Sequence, residues 1–174
     1  MLLPNPETLL AHMCIQINAL IDKNGLTNSA LIGVHSGGVW LMDRLLKDFK
    51  TERGQALTNG TLDAAMYRDD YNQRGLKAQT KPANISFDVT DKHIILIDDI
   101  FYTGRTTRAA MNELFDYGRP ASITLVVLIN RGGAELPITP NIVGANLTLS
   151  KHESLQLSFD TKGKLHLSLE DAHA

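Results

Sequence analysis

Cys14 is the only cysteine in this chain, so no internal disulfide can staple the fold and no cysteine-built metal centre can form. A reducing compartment, the cytoplasm, is the expected setting. Charge of one sign is lacking too: 17 Lys and Arg stand against 19 Asp and Glu, a formal net charge of -2. No global field draws such a chain onto nucleic acid or an anionic membrane, and any site for a polyanion must be local. No apolar run approaches the roughly 20 residues of a spanning helix, and the start Met1-Leu2-Leu3-Pro4-Asn5-Pro6 has no basic stretch of the kind that opens an export signal. No membrane partner is expected. What is present suits a packed protein: 174 residues, 43% hydrophobic and 21% charged, enough apolar material for one compact domain over residues 1–174 and too much for a disordered chain.

Hydrophobic periodicity sets out the elements. Asn5 as N-cap and Pro6 at the first helical position open a helix carrying Leu9, Leu10, Met13, Cys14, Ile17, Leu20 and Ile21 on one face, ended by Asn24-Gly25. Ala30–Val34, Ile94–Ile97 and Ile123–Ile129 are short continuous apolar runs, as in strands buried on both faces. A helix from about Gly38, with Val39, Met42, Leu45, Leu46 and Phe49 inward, follows the first strand, and one from Arg105 to Tyr117, closed by Gly118 and Pro120, follows the second. Strands alternating with helices predict an α/β fold, a parallel sheet with helices on both faces. The segment at about 52–92 is too long for a simple crossover, and the alternation of Leu62, Ala64 and Met66 with Asp63, Ala65 and Tyr67 predicts an inserted antiparallel flap. Leu155, Leu157 and Phe159, then Leu165, Leu167 and Leu169, flank Asp160-Thr-Lys-Gly163 as a terminal β-hairpin with one apolar face.

Chemistry concentrates in Ile94-Ile-Leu-Ile-Asp98-Asp99-Ile-Phe-Tyr102-Thr103-Gly104-Arg105-Thr106-Thr107. In parallel sheets ligands bind at the C-terminal ends of the strands, where this chain puts two carboxylates and then a hydroxyl-rich turn into a helix. Amide groups at the helix start, the threonine hydroxyls and a turn glycine form a cradle for a phosphate. Asp98 and Asp99 beside it can accept from a vicinal diol or approach a divalent cation, so phosphate and diol sites together describe a ribose 5-phosphate. Taken one at a time, these residues read equally as strand punctuation and a capped turn. There is no Gly-Lys-Thr/Ser for a Walker loop, and the Ile129 strand ends in Asn130-Arg131 without the further Asp and Lys of a phospho-accepting receiver.

The stretch resembles the phosphoribosyl pyrophosphate signature of type I phosphoribosyltransferases. From about Leu31 to Ser150 the chain is similar to the pyrimidine operon attenuator / uracil phosphoribosyltransferase family, through Tyr67-Arg68-Asp69-Asp70, the Asp98-Asp99 motif, Gly118-Arg-Pro-Ala121, Arg131-Gly132 with Glu135-Leu-Pro-Ile138, and Val143-Gly144 with Asn146. The resemblance implies that uracil displaces pyrophosphate from C1 of the ribose to give UMP, with Mg2+ as cofactor and no protein nucleophile. It implies that Asp98 and Asp99 hold the ribose hydroxyls or the metal, directly or through water. Tyr102, Thr103, Gly104, Arg105, Thr106 and Thr107 would then hold the 5-phosphate, and Ser36, Gly37 and Gly38, after His35, the pyrophosphate, in a loop that often contains a cis peptide. Arg68 is the implied cation closing over the pyrophosphate, ahead of Arg74 and Lys77. Arg131 and the backbone near Val143 are implied for uracil.

Two motifs depart from the family. Ser36-Gly37-Gly38 stands where Thr-Arg-Gly is common, so restoring an arginine as Gly37→Arg is expected to tighten phosphoribosyl pyrophosphate binding. Asn130-Arg131-Gly132-Gly133-Ala134 replaces Asp-Arg-Gly-His-Arg. Lys23 is the only Lys or Arg from Met1 to Asp43, and RNA binding rests largely on basic residues meeting phosphates. RNA is therefore a partner only under the alternative, attenuator reading. The enzyme, acting in pyrimidine salvage, is the leading reading, with a UMP-responsive RNA-binding attenuator or a nucleotide sensor of the same fold as alternatives. A homo-oligomer, as a dimer, is expected: the resemblance implies dimers, and the apolar first helix and hairpin offer more surface than the sheet obviously covers.

Overall fold

Helix α1 (Pro6–Asn24) starts as its capping residues dictate: Asn5 Oδ1 accepts the Glu7 N–H at 2.9 Å, Pro6 sits in the first turn, and Gly25 at φ 88° ends it. An Asn5→Ala variant is expected to lose about 1 kcal/mol of stability, read as a lower urea midpoint at unchanged slope; an unmoved midpoint would mean the cap contributes nothing. After α1 come β1 (Ser29–Val34), α2 (Gly37–Arg53), β2 (Thr58–Leu62), β3 (His93–Phe101), α3 (Arg105–Asp116), β4 (Ser122–Asn130), β5 (Ile142–Asn146), β6 (Glu153–Phe159) and β7 (Leu165–Asp171). These come from a computed structural model that describes residues 2–64, 82–150 and 152–171.

The main sheet has the order β2-β1-β3-β4-β5 with every pairing parallel. Its central strands are buried on both faces, as their unbroken apolar runs require. Ile95 and Ile97 of β3 face α1 and α2, while Ile94 and Leu96 face the α3 side. The order reverses between β1 and β3, which opens a crevice at the C-terminal edge where such sheets bind ligands. There β1 stops pairing at Gly33 opposite Ile97, whereas β3 runs on beside β4 to Phe101 opposite Asn130. Asp98 and Asp99 thus lie inside a strand longer than the Ile94–Ile97 run, one edge of it released because β1 has turned into α2.

Several expectations need correction. Thr58–Leu62 is the edge strand β2, parallel to β1, and not part of an antiparallel insertion. The alternation read correctly which side chains are buried, Leu62 and Ala64, but a period of two carries no strand direction. In the described part of 52–92 the antiparallel contact is a Thr61–Asn84 bridge. Tyr67, Arg68, Asp69, Asp70, Arg74 and Lys77 lie outside the described residues. On α2, Leu41 is buried and Val39 only half-buried. Strand β5 was not expected, because Gly144 interrupts its apolar run; a side chain there would strike the Leu128 carbonyl.

The terminal hairpin forms in the expected register, with Leu155 opposite Leu169, Leu157 opposite Leu167 and Phe159 opposite Leu165. Much of its apolar face is covered within the chain: Leu155, Leu157 and Leu165 join the core that α1 and α2 make with the sheet, while Phe159 stays exposed. The apolar surface that suggested a homo-oligomer is therefore partly filled, while Ile15 of α1 and Phe159 of β6 remain exposed.

Candidate functional site

A cavity of about 260 Å³ opens at the C-terminal edge of the sheet. Ser36 and Gly37 form one side of it, at the end of β1, where the His35–Ser36 peptide is cis. Gly38 is not on the wall but does structural work. A Cβ on it would overlap the Ile97 carbonyl, so α2 starts pressed against the backbone of β3. A Cβ on Gly37 would overlap the Asp99 carboxylate. A side chain at position 37 would therefore require the Asp99 carboxylate or the loop to shift, which sets a steric cost against the expectation that Gly37→Arg tightens ligand binding.

Asp98 and Asp99 line the cavity floor and are only 6% and 7% exposed. Asp98 Oδ1 accepts the Asp99 N–H at 2.9 Å, and Asp99 Oδ1 accepts the Ile100 N–H at 3.0 Å. Those bonds fix both carboxylates against their own strand. Buried adjacent acids are costly unless something compensates them, and the described residues hold no group of three metal-ligating side chains. Two carboxylates in an open polar cavity suit Mg2+, which keeps its waters and takes one or two carboxylates together with substrate phosphates.

Tyr102, Thr103, Gly104, Thr106 and Thr107 also line the cavity. Gly104, at φ 90°, makes the left-handed turn into α3, and Thr103 Oγ1 accepts the Arg105 N–H at 3.3 Å. The Thr103 carbonyl takes the Glu135 and Leu136 N–H groups at 3.0 and 3.3 Å, tying the cradle to the segment after β4. Arg105 itself is not on the wall. Its half-exposed guanidinium is paired with Glu135, at 2.7 Å.

Arg131 lies on the wall, its Cζ 4.0 Å above the Tyr102 ring, a cation–π stack. Its Nη2 donates to the carbonyls of Glu153 at 3.0 Å and Ser150 at 3.4 Å, while its buried Nε has no partner among the described residues. The Glu153 carboxylate takes the Ser150 N–H at 2.9 Å, a bond that holds it below the usual carboxylate range. Val143 does not line the cavity. It pairs with Val127 and packs on the α3 side of the sheet, because strand alternation turns its side chain away.

Sequence reading missed a whole wall. Trp40 of α2 and Ser154, Leu155, Gln156 and Leu157 of β6 complete the cavity, and no local pattern says where a terminal hairpin docks. Trp40 meets Phe159 edge to face, ring centroids 4.8 Å apart, which fixes the hairpin beside the cavity.

The phosphoribosyl transferase domain family model matches residues 3–155. The chain is 47% identical over 171 residues to the bifunctional protein PyrR of Pseudomonas fluorescens, covering 98% of both chains. It is 47% identical over 162 residues to the protein of that name from Pseudomonas syringae pv. tomato, covering 91% of each. Among solved structures, the fold is similar to a hypoxanthine phosphoribosyltransferase from Staphylococcus aureus, with TM-score 0.62 and 18% identity over 88% of this chain and 79% of that one. A hypoxanthine-guanine phosphoribosyltransferase from Bacillus anthracis gives TM-score 0.62 and 16% identity over 85% of each chain. With near-complete sequence coverage and the sheet, acidic pair and threonine cradle in place, the chain belongs to the phosphoribosyl transferase family, among the bifunctional PyrR proteins.

Proposed function

We propose that this chain is a uracil phosphoribosyltransferase. Uracil N1 bonds to C1 of the ribose of phosphoribosyl pyrophosphate, the bond from C1 to the pyrophosphate oxygen breaks, the N1 proton leaves to solvent, and UMP and pyrophosphate result. The observation that carries this reading is the convergence on one cavity of Ser36 and Gly37, the Asp98–Asp99 pair, and Thr103, Gly104, Thr106 and Thr107. Each supplies what one part of the sugar diphosphate needs: close backbone approach for the pyrophosphate, acceptors for the ribose hydroxyls, and amides with hydroxyls for the 5-phosphate. Asp98 and Asp99 would hold Mg2+, directly or through water, and the bound ion would supply charge neutralisation on the departing pyrophosphate. Rate then comes mainly from alignment of base and sugar, with no covalent intermediate on the protein. Arg68 is assigned to the pyrophosphate. The base lies against Arg131 and β6; Val143 can contribute only backbone, since its side chain packs elsewhere.

A base panel tests this reading. With phosphoribosyl pyrophosphate and Mg2+, uracil is expected to release pyrophosphate while hypoxanthine and guanine do not; turnover of a purine instead would overturn the assignment. The relatives' shared description as bifunctional motivates a second role, as a UMP-responsive attenuator, tested by filter binding of a pyrimidine-operon leader RNA with and without UMP. A cytoplasmic setting is proposed with it. Cys14, the single thiol, is buried, and burial first, then Glu52 and Asp48, pushes it up to about 11, so it is inert in a reducing environment.

A further inference from the structure

The terminal hairpin forms a sheet of its own, joined to no strand of the main sheet, and a lone two-stranded sheet is marginal in water unless something holds it. Yet β6 supplies Ser154–Leu157 to the cavity wall, so the shape of the site depends on how firmly the hairpin is docked. Its apolar face rests on the core, Arg131 ties its entry through the Glu153 carbonyl, and its turn is held at a third point by residues that do not line the cavity. There Glu7 of α1 and Arg44 of α2 form a paired bridge, with Nη2 to Oε2 at 2.6 Å and Nη1 to Oε1 at 3.1 Å. Both partners also grip the hairpin. Arg44 Nη1 donates to the Gly163 carbonyl at 3.0 Å, and Glu7 Oε1 accepts the Leu165 N–H at 2.9 Å.

Arg44 sits one helical turn after Trp40, so one face of α2 presents both residues to the hairpin. Trp40 touches Phe159 and lines the cavity. A side chain at the tip and one at the cavity therefore hold the same two strands. We propose that Glu7 and Arg44 are positioning residues: they latch the terminal hairpin to α1 and α2 and so set the cavity's affinity for the base, an inference that rests on the uracil phosphoribosyltransferase reading. The pair is well formed for that task. The Arg44 hydrogen bond, with further help from the Leu165 N–H, holds the Glu7 carboxyl below its usual range, and Glu7 in turn raises Arg44. Both side chains are partly exposed, so the latch is modest in strength. It tunes the wall and leaves the core intact.

The test replaces Arg44→Met, with Arg44→Lys as the conservative variant and Glu7→Gln as a second route to the same break. Trp40 is the only tryptophan, so its fluorescence reads the wall directly, whether or not any base is turned over. In Arg44→Met, acrylamide quenching of Trp40 is expected to rise about twofold and KM for uracil about fivefold, with kcat and KM for phosphoribosyl pyrophosphate within about twofold. Arg44→Lys should recover most of both changes, and Glu7→Gln should shift both in the direction of Arg44→Met. Unchanged Trp40 quenching in Arg44→Met would overturn the latch; a loosened Trp40 with unchanged KM for uracil would overturn its link to the base. Absence of UMP from the unsubstituted protein would instead strike the functional reading, while Trp40 quenching would still decide the latch.

Discussion

An Asp99→Asn protein is expected to lose about a hundredfold to a thousandfold in turnover, the range for removing one preorganised electrostatic group from an active site, while keeping its fold. Asparagine is nearly isosteric, and its Oδ1 can still accept the Ile100 N–H that Asp99 takes at 3.0 Å. What disappears is one of two adjacent buried negative charges. Their burial opposes folding, so the melting temperature of the variant should be unchanged or higher. A residue retained for the core would behave in the opposite way, losing stability and sparing turnover. Thermal melts beside steady-state kinetics separate the two, and a variant that melts lower while turning over normally would remove Asp99 from the reaction.

The second large effect is expected at Gly37. Judged from the motif alone, an arginine there adds a cation for the pyrophosphate. In the folded chain the first atom of any side chain at that position falls on the Asp99 carboxylate. Either the loop or the acid must move, and a misplacement of about 1 Å at a reacting centre costs on the order of a hundredfold. Gly37→Arg and Gly37→Ala are both expected to lose about that much in kcat/KM for phosphoribosyl pyrophosphate, with the alanine nearly as harmful because the overlap begins at Cβ. Tighter binding by Gly37→Arg would show that Asp99 yields easily and that the added charge prevails.

These two residues show what a sequence discloses and what it withholds. The parallel sheet was legible because β1, β3 and β4 are unbroken apolar runs, a pattern that burial on both faces imposes. The acidic pair and the threonine turn were legible because polar residues directly after such a run lack a packing reason. Long-range placement was not legible. Gly37 reads as a flexible loop residue until Asp99 is brought against it, and no local pattern pairs Arg105 with Glu135, thirty residues on. Leu155 and Leu157 were recognisable as one face of a hairpin, but alternation gives a face and not its partner. The Glu7–Arg44 bridge joins α1, α2 and β7, and no local pattern connects positions so far apart.

The most direct test of the central claim is UMP formation from uracil, phosphoribosyl pyrophosphate and Mg2+, followed in the unsubstituted and Asp99→Asn proteins side by side. Magnesium-dependent UMP from the first, reduced at least about a hundredfold in the second, is the expected result. No UMP from folded protein, or equal UMP from both, would contradict it.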